Sequence, residues 1–448
     1  MIRIVDQSTM KYTVDFYNNE EIYFSSTGLQ IGYGHKIETK IQIKELLAKT
    51  VKELKRYKIY NAGINISALI SYAGAKSICD IVEGIVLGNY EQRRFTEIES
   101  EDYIVELFGY PKELEEQIHE LFHETMALMQ GVVFARDMVN MPGNKLRPMD
   151  FAEEIIRLME TMPVECELLS YDRLKTIEMN GLTGIGESSE YPPCLLVLRY
   201  LPDEGSQDIQ GLIGKGVTCD TGGYCLKSAA SMTGIKGDMA GGAAVAGAIY
   251  ALAKNKMKRN VIGLIPMCEN RISPGSLLPG DVITSYSKKT IEVVNTDAEG
   301  RLILADAVTY AVEKEHVTKV LDIATLTGSV VNMFGFSVAA VISDNQEFFD
   351  EFKRAYKRSG EQYWRLPFYP EHEKMIESKI ADIKNVGETV CGTITAGLFI
   401  RSFAKEKPWL HIDIAGTAWV DTPVYEFQTV GATGAGVTTL YYLCCQKG

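Results

Sequence analysis

The chain has 448 residues, of which 46% are hydrophobic and 23% charged, so neither long disorder nor a fibrous repeat is expected. A net charge of −13 disfavours nucleic acid as the main partner, because such a surface repels phosphate backbones. Nine scattered cysteines without CxxC spacing are typical of reduced thiols. With no apolar signal core and no run long enough to cross a bilayer, the sequence predicts a soluble cytoplasmic protein without a membrane partner.

The first quarter of the chain mixes short β-rich runs with helical stretches, and we predict a small N-terminal α/β domain over 1–110. The expected elements are strands over 12–16 and 58–60 and a helix over 41–57. From Leu114 to Val132, apolar residues then recur every three to four positions, as on one face of a helix. Residues 111–145 are therefore predicted to be a long connector helix.

From residue 146 to 448, continuous apolar strands alternate with helices, which indicates a larger domain with a mainly parallel central sheet covered by helices. The predicted strands are 164–169, 194–199, 211–214, 261–266, 290–294, 320–323, 338–342 and 410–414. The predicted helices include 151–159, 239–256, 301–314 and 346–358. In this architecture ligands gather beyond the carboxyl ends of strands, so segments that follow strands are where a site is expected.

Two charged segments, 213–239 and 295–301, each follow a predicted strand and lead into a helix. They carry the acids Asp220, Asp238, Asp297 and Glu299 and the cations Lys215, Lys227, Lys236 and Arg301. Four converging carboxylates would repel one another, and two divalent cations would neutralise them. Such a site suits Mn²⁺ or Mg²⁺, with Zn²⁺ also possible, and two metals can activate a shared water. The alternative is that each acid merely caps a helix or complements its dipole.

The segment Asn295-Thr-Asp-Ala-Glu-Gly-Arg301 resembles the signature of the leucyl (cytosol) aminopeptidase family. The first segment resembles that family's other metal-binding stretch, with Lys-Asp-Lys-Asp spacings of 5, 7 and 11. Further matches are found at 135–140, 322–328, 411–419 and 431–437. The similarity covers nearly all of 130–448 and is weaker over 1–110.

This resemblance implies a metal-dependent hydrolase that releases the N-terminal amino acid from peptides, with a water bridging two Mn or Zn ions as the nucleophile. It implies one ion held by Lys215, Asp220, Asp238 and Glu299 and a second held by Asp220, Asp297 and Glu299. Lys227 would polarise the scissile carbonyl, and Arg301 with the Gly300 and Leu302 backbone would hold a bicarbonate that acts as general base. A homohexamer is also implied.

The resemblance further places a pocket for the first side chain of the substrate. Its residues would be Ile235, Thr325, Gly328, Ala415 and Ala418. Small and apolar residues suit an uncharged side chain such as Leu or Met. Ile235 stands where the family commonly has methionine, and its stiffer branched side chain can shift that preference.

Two other functions have support in the sequence. His119-Glu-Leu-Phe-His123 matches the His-Glu-x-x-His pattern of zincin metallopeptidases, in which Glu120 would be the base. The motif lies outside the matched region, so the polar face of the connector helix is the preferred interpretation. A non-catalytic or DNA-binding scaffold of the same fold is the second alternative, which the intact ligand set and the net charge disfavour.

Overall fold

The computed structural model describes residues 1–17, 22–24, 28–32, 39–92, 95 and 103–446. The chain divides into two compact units, one formed by 1–129 with 421–430 and the other by 130–420 with 431–448. The sequence pattern assigns 421–430 to the larger domain, whereas in the structure this segment belongs to the first unit. Two polar contacts join it to that unit: Glu426 N donates to Glu45 Oε1 at 2.7 Å, and the Glu426 carboxylate pairs with Lys52 at 2.9 Å.

The first unit contains a six-stranded sheet and three helices among the described residues. The strands are β1 (Ile2–Ile4), β2 (Tyr12–Tyr17), β3 (Ile22–Phe24), β4 (Gly28–Gly32), β5 (Asn61–Asn65) and β6 (Ile104–Phe108), and the helices are α1 (Lys40–Arg56), α2 (Ser67–Ala73) and α3 (Ser77–Asn89). The sheet order is β1-β6-β5-β2-β4-β3, and only β3 runs antiparallel to its neighbour. The strand predicted over 58–60 is wrong: Lys58, at φ 57°, turns the chain after α1, and the strand starts at Asn61.

The predicted connector is a helix, α4 (Glu115–Asn140), preceded by a 3₁₀ turn over Lys112–Leu114. The division between the two units falls within α4, after Met129. Of the apolar stripe predicted from the sequence, Ile118, Leu128 and Val132 are buried, whereas Leu114 and Leu121 are half-buried.

The second unit contains the remaining strands and helices. Its strands are β7 (Glu165–Leu169), β8 (Cys194–Tyr200), β9 (Ile209–Gly214), β10 (Gly216–Asp220), β11 (Asn260–Asn270), β12 (Val282–Thr284), β13 (Thr290–Glu292), β14 (Lys319–Ala324), β15 (Ala339–Ser343), β16 (Tyr363–Arg365), β17 (Ile383–Lys384), β18 (Trp409–Asp413), β19 (Trp419–Val420) and β20 (Gly431–Ala432). Its helices are α5 (Pro148–Met159), α6 (Tyr171–Thr176), α7 (Asn180–Gly186), α8 (Ala240–Lys254), α9 (Glu299–Glu313), α10 (Gly328–Phe334), α11 (Gln346–Ser359), α12 (Pro370–Lys374), α13 (Gly392–Arg401) and α14 (Val437–Cys444).

The main sheet of this unit runs β16-β15-β18-β14-β9-β11-β8-β7, with β10 also paired to β11. Its centre, from β11 through β9 and β14 to β18, is parallel, and antiparallel pairs lie toward the two edges. Helices α8 and α9 pack against the central strands. The predicted fold class, a mainly parallel sheet with helices, is confirmed. No helix among the described residues is long and apolar enough to cross a membrane.

Candidate active site

The first two candidate metal ligands lie at the ends of β9 and β10. Lys215 is the single residue between these two strands, and Asp220 is the last residue of β10. Asp220 Oδ1 accepts hydrogen bonds from Gly222 N at 3.0 Å and from Asn270 Nδ2 at 2.9 Å. Gly222 has φ +88°, and a Cβ there would lie 2.7 Å from Asp297 Oδ1. A glycine is therefore needed for the turn that brings the two acidic segments together.

Lys215 is the centre of one half of the site. Its Nζ lies 2.8 Å from Asp238 Oδ1, 2.8 Å from Glu299 Oε1 and 3.0 Å from the Thr325 carbonyl. The Thr325 hydroxyl donates to the same Asp238 oxygen at 2.8 Å. Asp238 Oδ2 is buried and has no hydrogen-bond partner among the described residues, so this oxygen is available to a ligand.

Lys227 bridges the other half of the site. Its Nζ lies 2.6 Å from Asp220 Oδ2 and forms a second, shorter ion pair with Asp297. Asp220, Asp297 and Glu299 each offer a carboxylate oxygen, and these oxygens lie within 4.8 Å of one another. Across the part of the chain that the structure describes, this is the one group of three or more carboxylate, histidine or cysteine side chains so arranged.

The charges of this cluster do not balance, because four carboxylates face two contacting ammonium groups. Burial and the Glu299 carboxylate raise the pKa of Asp220 to about 6, and burial raises the pKa of Asp238 and of Asp297. Burial opposes the ionised form of Glu299, but Lys215 and Lys227 outweigh it and lower its pKa. The cluster therefore has an excess of negative charge that further cations would neutralise.

Arg301 lies in the first turn of α9, directly after Glu299 and Gly300. One guanidinium nitrogen donates to the Asn385 carbonyl at 2.7 Å, while the buried Nε has no partner among the described residues. Burial lowers the pKa of Arg301 to about 10. This buried cation, next to the free N–H groups of a helix start, is suited to hold an anion.

The cluster opens into a cavity of about 390 Å³. Predicted residues that line it are Lys215, Asp220, Lys227, Ile235, Asp238, Asp297, Thr325, Gly328, Ala415 and Ala418. Lining residues that the sequence interpretation did not include are Val139, Ser231, Gly234, Gly237, Leu326, Thr327, Val331, Phe336 and Trp419. Outside the charged cluster, the described lining residues are uncharged. The predicted site residues Glu299, Gly300, Arg301 and Leu302, at the start of α9, do not line the cavity.

Three buried polar residues that support the site were also not predicted. Asn270 holds Asp220 and also donates to the Thr296 carbonyl at 2.9 Å. The Asn385 amide bonds the backbone of the Asn295 segment, with its Nδ2 donating to Asn295 O at 2.7 Å. The Asp413 carboxylate accepts from Leu326 N, Thr327 Oγ1 and Ala415 N, all of them cavity residues. Only Asp413 lies inside a matched motif, so sequence spacing alone gives no signal for the other two.

The His-Glu-x-x-His segment has a different environment. His119 and His123 lie on α4 with ring centroids 6.4 Å apart, and His119 Nε2 is 3.3 Å from the Tyr110 hydroxyl. Within the described ranges, neither histidine belongs to a group of three potential ligands. The preferred interpretation as part of a helix surface agrees with this arrangement.

A buried group of acids and lysines beyond the carboxyl ends of parallel strands, open to a cavity whose other lining residues are uncharged, is the arrangement expected of a metal-dependent hydrolase. The sequence model for the catalytic domain of the cytosol aminopeptidase family matches residues 133–441. A probable cytosol aminopeptidase of Clostridium perfringens is 40% identical over 93% of this chain and 86% of its own length. One from Treponema denticola is 38% identical over 96% of this chain and 92% of its own. The chain belongs to the cytosol aminopeptidase family and is a metal-dependent aminopeptidase.

A solved structure agrees with this assignment over the whole chain. The bottromycin maturation enzyme BotP superimposes with a TM-score of 0.87 at 28% identity, and the match covers 97% of this chain and 98% of BotP. A second structure of BotP, in complex with Mn, gives the same TM-score.

Proposed function

We propose that this aminopeptidase holds two divalent ions in the buried cluster of Lys215, Asp220, Lys227, Asp238, Asp297 and Glu299. We further propose that it removes Leu-like, uncharged residues from the N-termini of peptides. The observation that carries the proposal is the uncompensated charge of four carboxylates against two ammonium groups at the edge of an open cavity. The two lysines leave part of this negative charge uncompensated, and the cavity gives cations access to it.

The side chains present fit two metal ions. Asp220, Asp297 and Glu299 would hold one ion, and Lys215 with Asp220, Asp238 and Glu299 would hold the other. Asp238 Oδ2, buried without a partner among the described residues, supplies a further donor oxygen. The ions would supply a water of lowered pKa as the nucleophile. Mn²⁺ or Zn²⁺ is proposed, and the Mn in a BotP structure supports Mn.

The two lysines then have different roles. Burial of Lys215 alone would lower its pKa, but Asp238 and Glu299 outweigh burial and raise the pKa. Ligation therefore requires that a metal ion displace its proton. Lys227 is more exposed and faces the cavity, with an ammonium group held by Asp220 and Asp297. In this proposal Lys227 would stabilise the negative charge that develops on the scissile carbonyl oxygen.

Arg301 is proposed to hold a bicarbonate that takes up a proton during hydrolysis, together with the backbone N–H groups of Gly300 and Leu302. The support is a buried guanidinium at the start of α9 whose Nε has no hydrogen-bond partner among the residues that the structure describes. Removal of bicarbonate should lower kcat, and Arg301→Ala should abolish the response to added bicarbonate.

The proposed preference for Leu-like side chains rests on the remaining cavity wall. Ile235, Gly328, Ala415 and Ala418 line it, together with Thr325. With no charged group there among the described residues, a charged substrate side chain would lose its hydration without compensation. Such substrates should therefore be cleaved much more slowly than Leu substrates.

The deciding experiment is hydrolysis of a Leu-anilide by the full chain after EDTA stripping and restoration with Mn²⁺ or Zn²⁺. N-acetyl-Leu-anilide serves as the control, since a blocked amine cannot bind as a free N-terminus. Metal-dependent cleavage of the free-amine substrate alone is the expected result. Cleavage of the blocked substrate would instead favour the zincin alternative, and activity on a phosphate ester would favour a phosphoesterase. No activity on any of these three substrates, combined with salt-sensitive retention on DNA, would favour a non-catalytic DNA-binding scaffold.

Family membership also supports a homohexameric assembly in the cytoplasm. Light scattering of the purified chain tests this directly, with a mass near six times 49.8 kDa as the expected result. A monomer that is fully active would contradict the assembly proposal and leave the catalytic proposal intact.

A further inference from the structure

One wall of the cavity is formed by three segments that are far apart in the sequence. Val139 near the end of α4, Gly237 in a 3₁₀ turn and Trp419 of β19 all line the cavity. A methyl group placed on Gly237 would lie 3.9 Å from Trp419 and 3.9 Å from Val139, so both side chains lie next to this glycine. An apolar surface therefore shares the cavity with the carboxylate cluster.

Lys236 links these three segments. Its Nζ lies 5.3 Å from the centre of the Trp419 ring and donates to the Asn140 carbonyl at 3.1 Å. The Asn140 side chain in turn accepts a hydrogen bond from Ala432 N at 3.0 Å, and Ala432 is the residue paired with Trp419 in the β19–β20 ladder. The lysine is half-buried, which is the more favourable setting for a cation over an indole face.

We propose that Lys236 is a specificity-determining positioning residue, which fixes Trp419 as the wall against which the apolar side chain of the substrate packs. The inference rests on the proposed aminopeptidase function. Lys236 does not line the cavity itself, so it acts through Trp419 and Asn140. A wall contacts the substrate equally before and during the reaction, and its loss therefore affects KM rather than kcat.

The test compares K236M, K236R and the control K254M, which changes an exposed lysine at the end of α8. Leu-anilide and Ala-anilide are the substrates, and bound Mn is measured for every variant. In K236M, KM for the Leu substrate should rise about tenfold with kcat within about twofold, so that the preference for Leu over Ala falls. K236R should keep KM and the preference for Leu close to wild type, because arginine keeps a cation over the ring and a donor to Asn140. K254M should match the wild type.

A second readout does not depend on activity. The chain has three tryptophans, and a W364F background removes the exposed Trp364 and leaves the buried Trp409 and the half-buried Trp419. Acrylamide should quench Trp419 more strongly in K236M than in its W364F parent. Unchanged KM and quenching would overturn the inference, as would a fall in kcat that follows loss of bound Mn. An inactive wild type would refute the proposed function, while the quenching result would still report on the wall.

Discussion

Each unit contains a buried cluster of acids around lysine, and the two clusters differ in access: one is enclosed between helices, and the other opens into a cavity. In the first unit, Lys44 of α1 pairs with Glu83 of α3 and lies 3.9 Å from Asp80. The helices meet so closely that a Cβ on Gly84 would lie 2.6 Å from the Lys44 carbonyl, which leaves this cluster between packed backbones. The cluster of the second unit follows strand ends and opens into a cavity of about 390 Å³.

This difference shows that buried charge alone does not make a site. Both clusters contain more acids than lysines, and burial raises a carboxyl pKa in each, to about 7 for Asp80 and about 6 for Asp220. Only the second combines that excess charge with an open cavity and a buried carboxylate oxygen, on Asp238, that lacks a partner among the described residues. Access and available ligand atoms therefore separate a functional cluster from a structural one.

The largest expected effect is on the cavity cluster. Asp297→Asn should lower kcat/KM for Leu-anilide about 1000-fold, because a proposed metal ligand is lost while the side-chain shape is kept. It should also reduce the rise in melting temperature that Mn²⁺ gives the wild type, since the bound ion stabilises the folded state. Activity within tenfold of wild type would remove Asp297 from the site.

The next largest effect is expected in the cluster of Lys44, Asp80 and Glu83, where Lys44→Met should affect stability and not activity. Two acids would lose their cation, at a cost of about 3 kcal/mol in the free energy of unfolding by urea. Measured under conditions in which the protein stays folded, kcat/KM and the Mn²⁺ response should match wild type. A selective loss of metal binding would contradict the separation of the two clusters.

Asp80→Asn gives a smaller, pH-dependent effect. The folded protein holds the Asp80 proton up to a pKa of about 7, whereas an unperturbed aspartate carboxyl has a pKa of 3.8. Between these values the unfolded chain releases a proton that the folded chain retains, so the stability contributed at low pH is lost as pH rises. Asp80→Asn should reduce the difference in the free energy of unfolding between pH 4.5 and pH 7.5 by about 2 kcal/mol, as measured by urea unfolding. An unchanged difference would mean that Asp80 ionises normally.

A smaller effect on activity is expected from Asp413→Asn. Asp413 ends β18 and holds the loops that carry Leu326, Thr327 and Ala415 in the cavity. Weaker, uncharged hydrogen bonds should raise KM for Leu-anilide about fivefold. Bound Mn should stay unchanged in metal analysis, and a loss of Mn would assign Asp413 to the metal cluster instead.

The smallest expected effect is that of His119→Ala. His119 lies on α4 beside Tyr110, outside the metal-ligand group, so kcat/KM and metal content should stay within about twofold of wild type. Loss of activity here, combined with an active Asp297→Asn, would reverse the assignment of the catalytic centre.

Much of this could be predicted from the sequence because the information is local. The 3.6-residue stripe of α4 and the apolar runs of β9, β11, β14 and β18 are visible in short windows. The spacing of Lys215, Asp220 and Asp238, together with the Asn295–Arg301 segment, singled out the acids that the fold brings together. Strand β10 was missed because its five buried residues, Gly-Val-Thr-Cys-Asp, have no clear periodicity.

Other features depend on strand register and loop packing, which no short window contains. Asp220 meets Asn270 because β10 and β11 pair in that register, across 50 residues of sequence. Asp413 reaches Leu326 and Thr327 because β18 lies beside β14 with Ala324 opposite Asp413. The sequence by itself determined the fold class and the chemical identity of the cluster. Only the tertiary structure decided which acids share a cavity and which are enclosed, because neighbours in a sheet are set by long-range pairing.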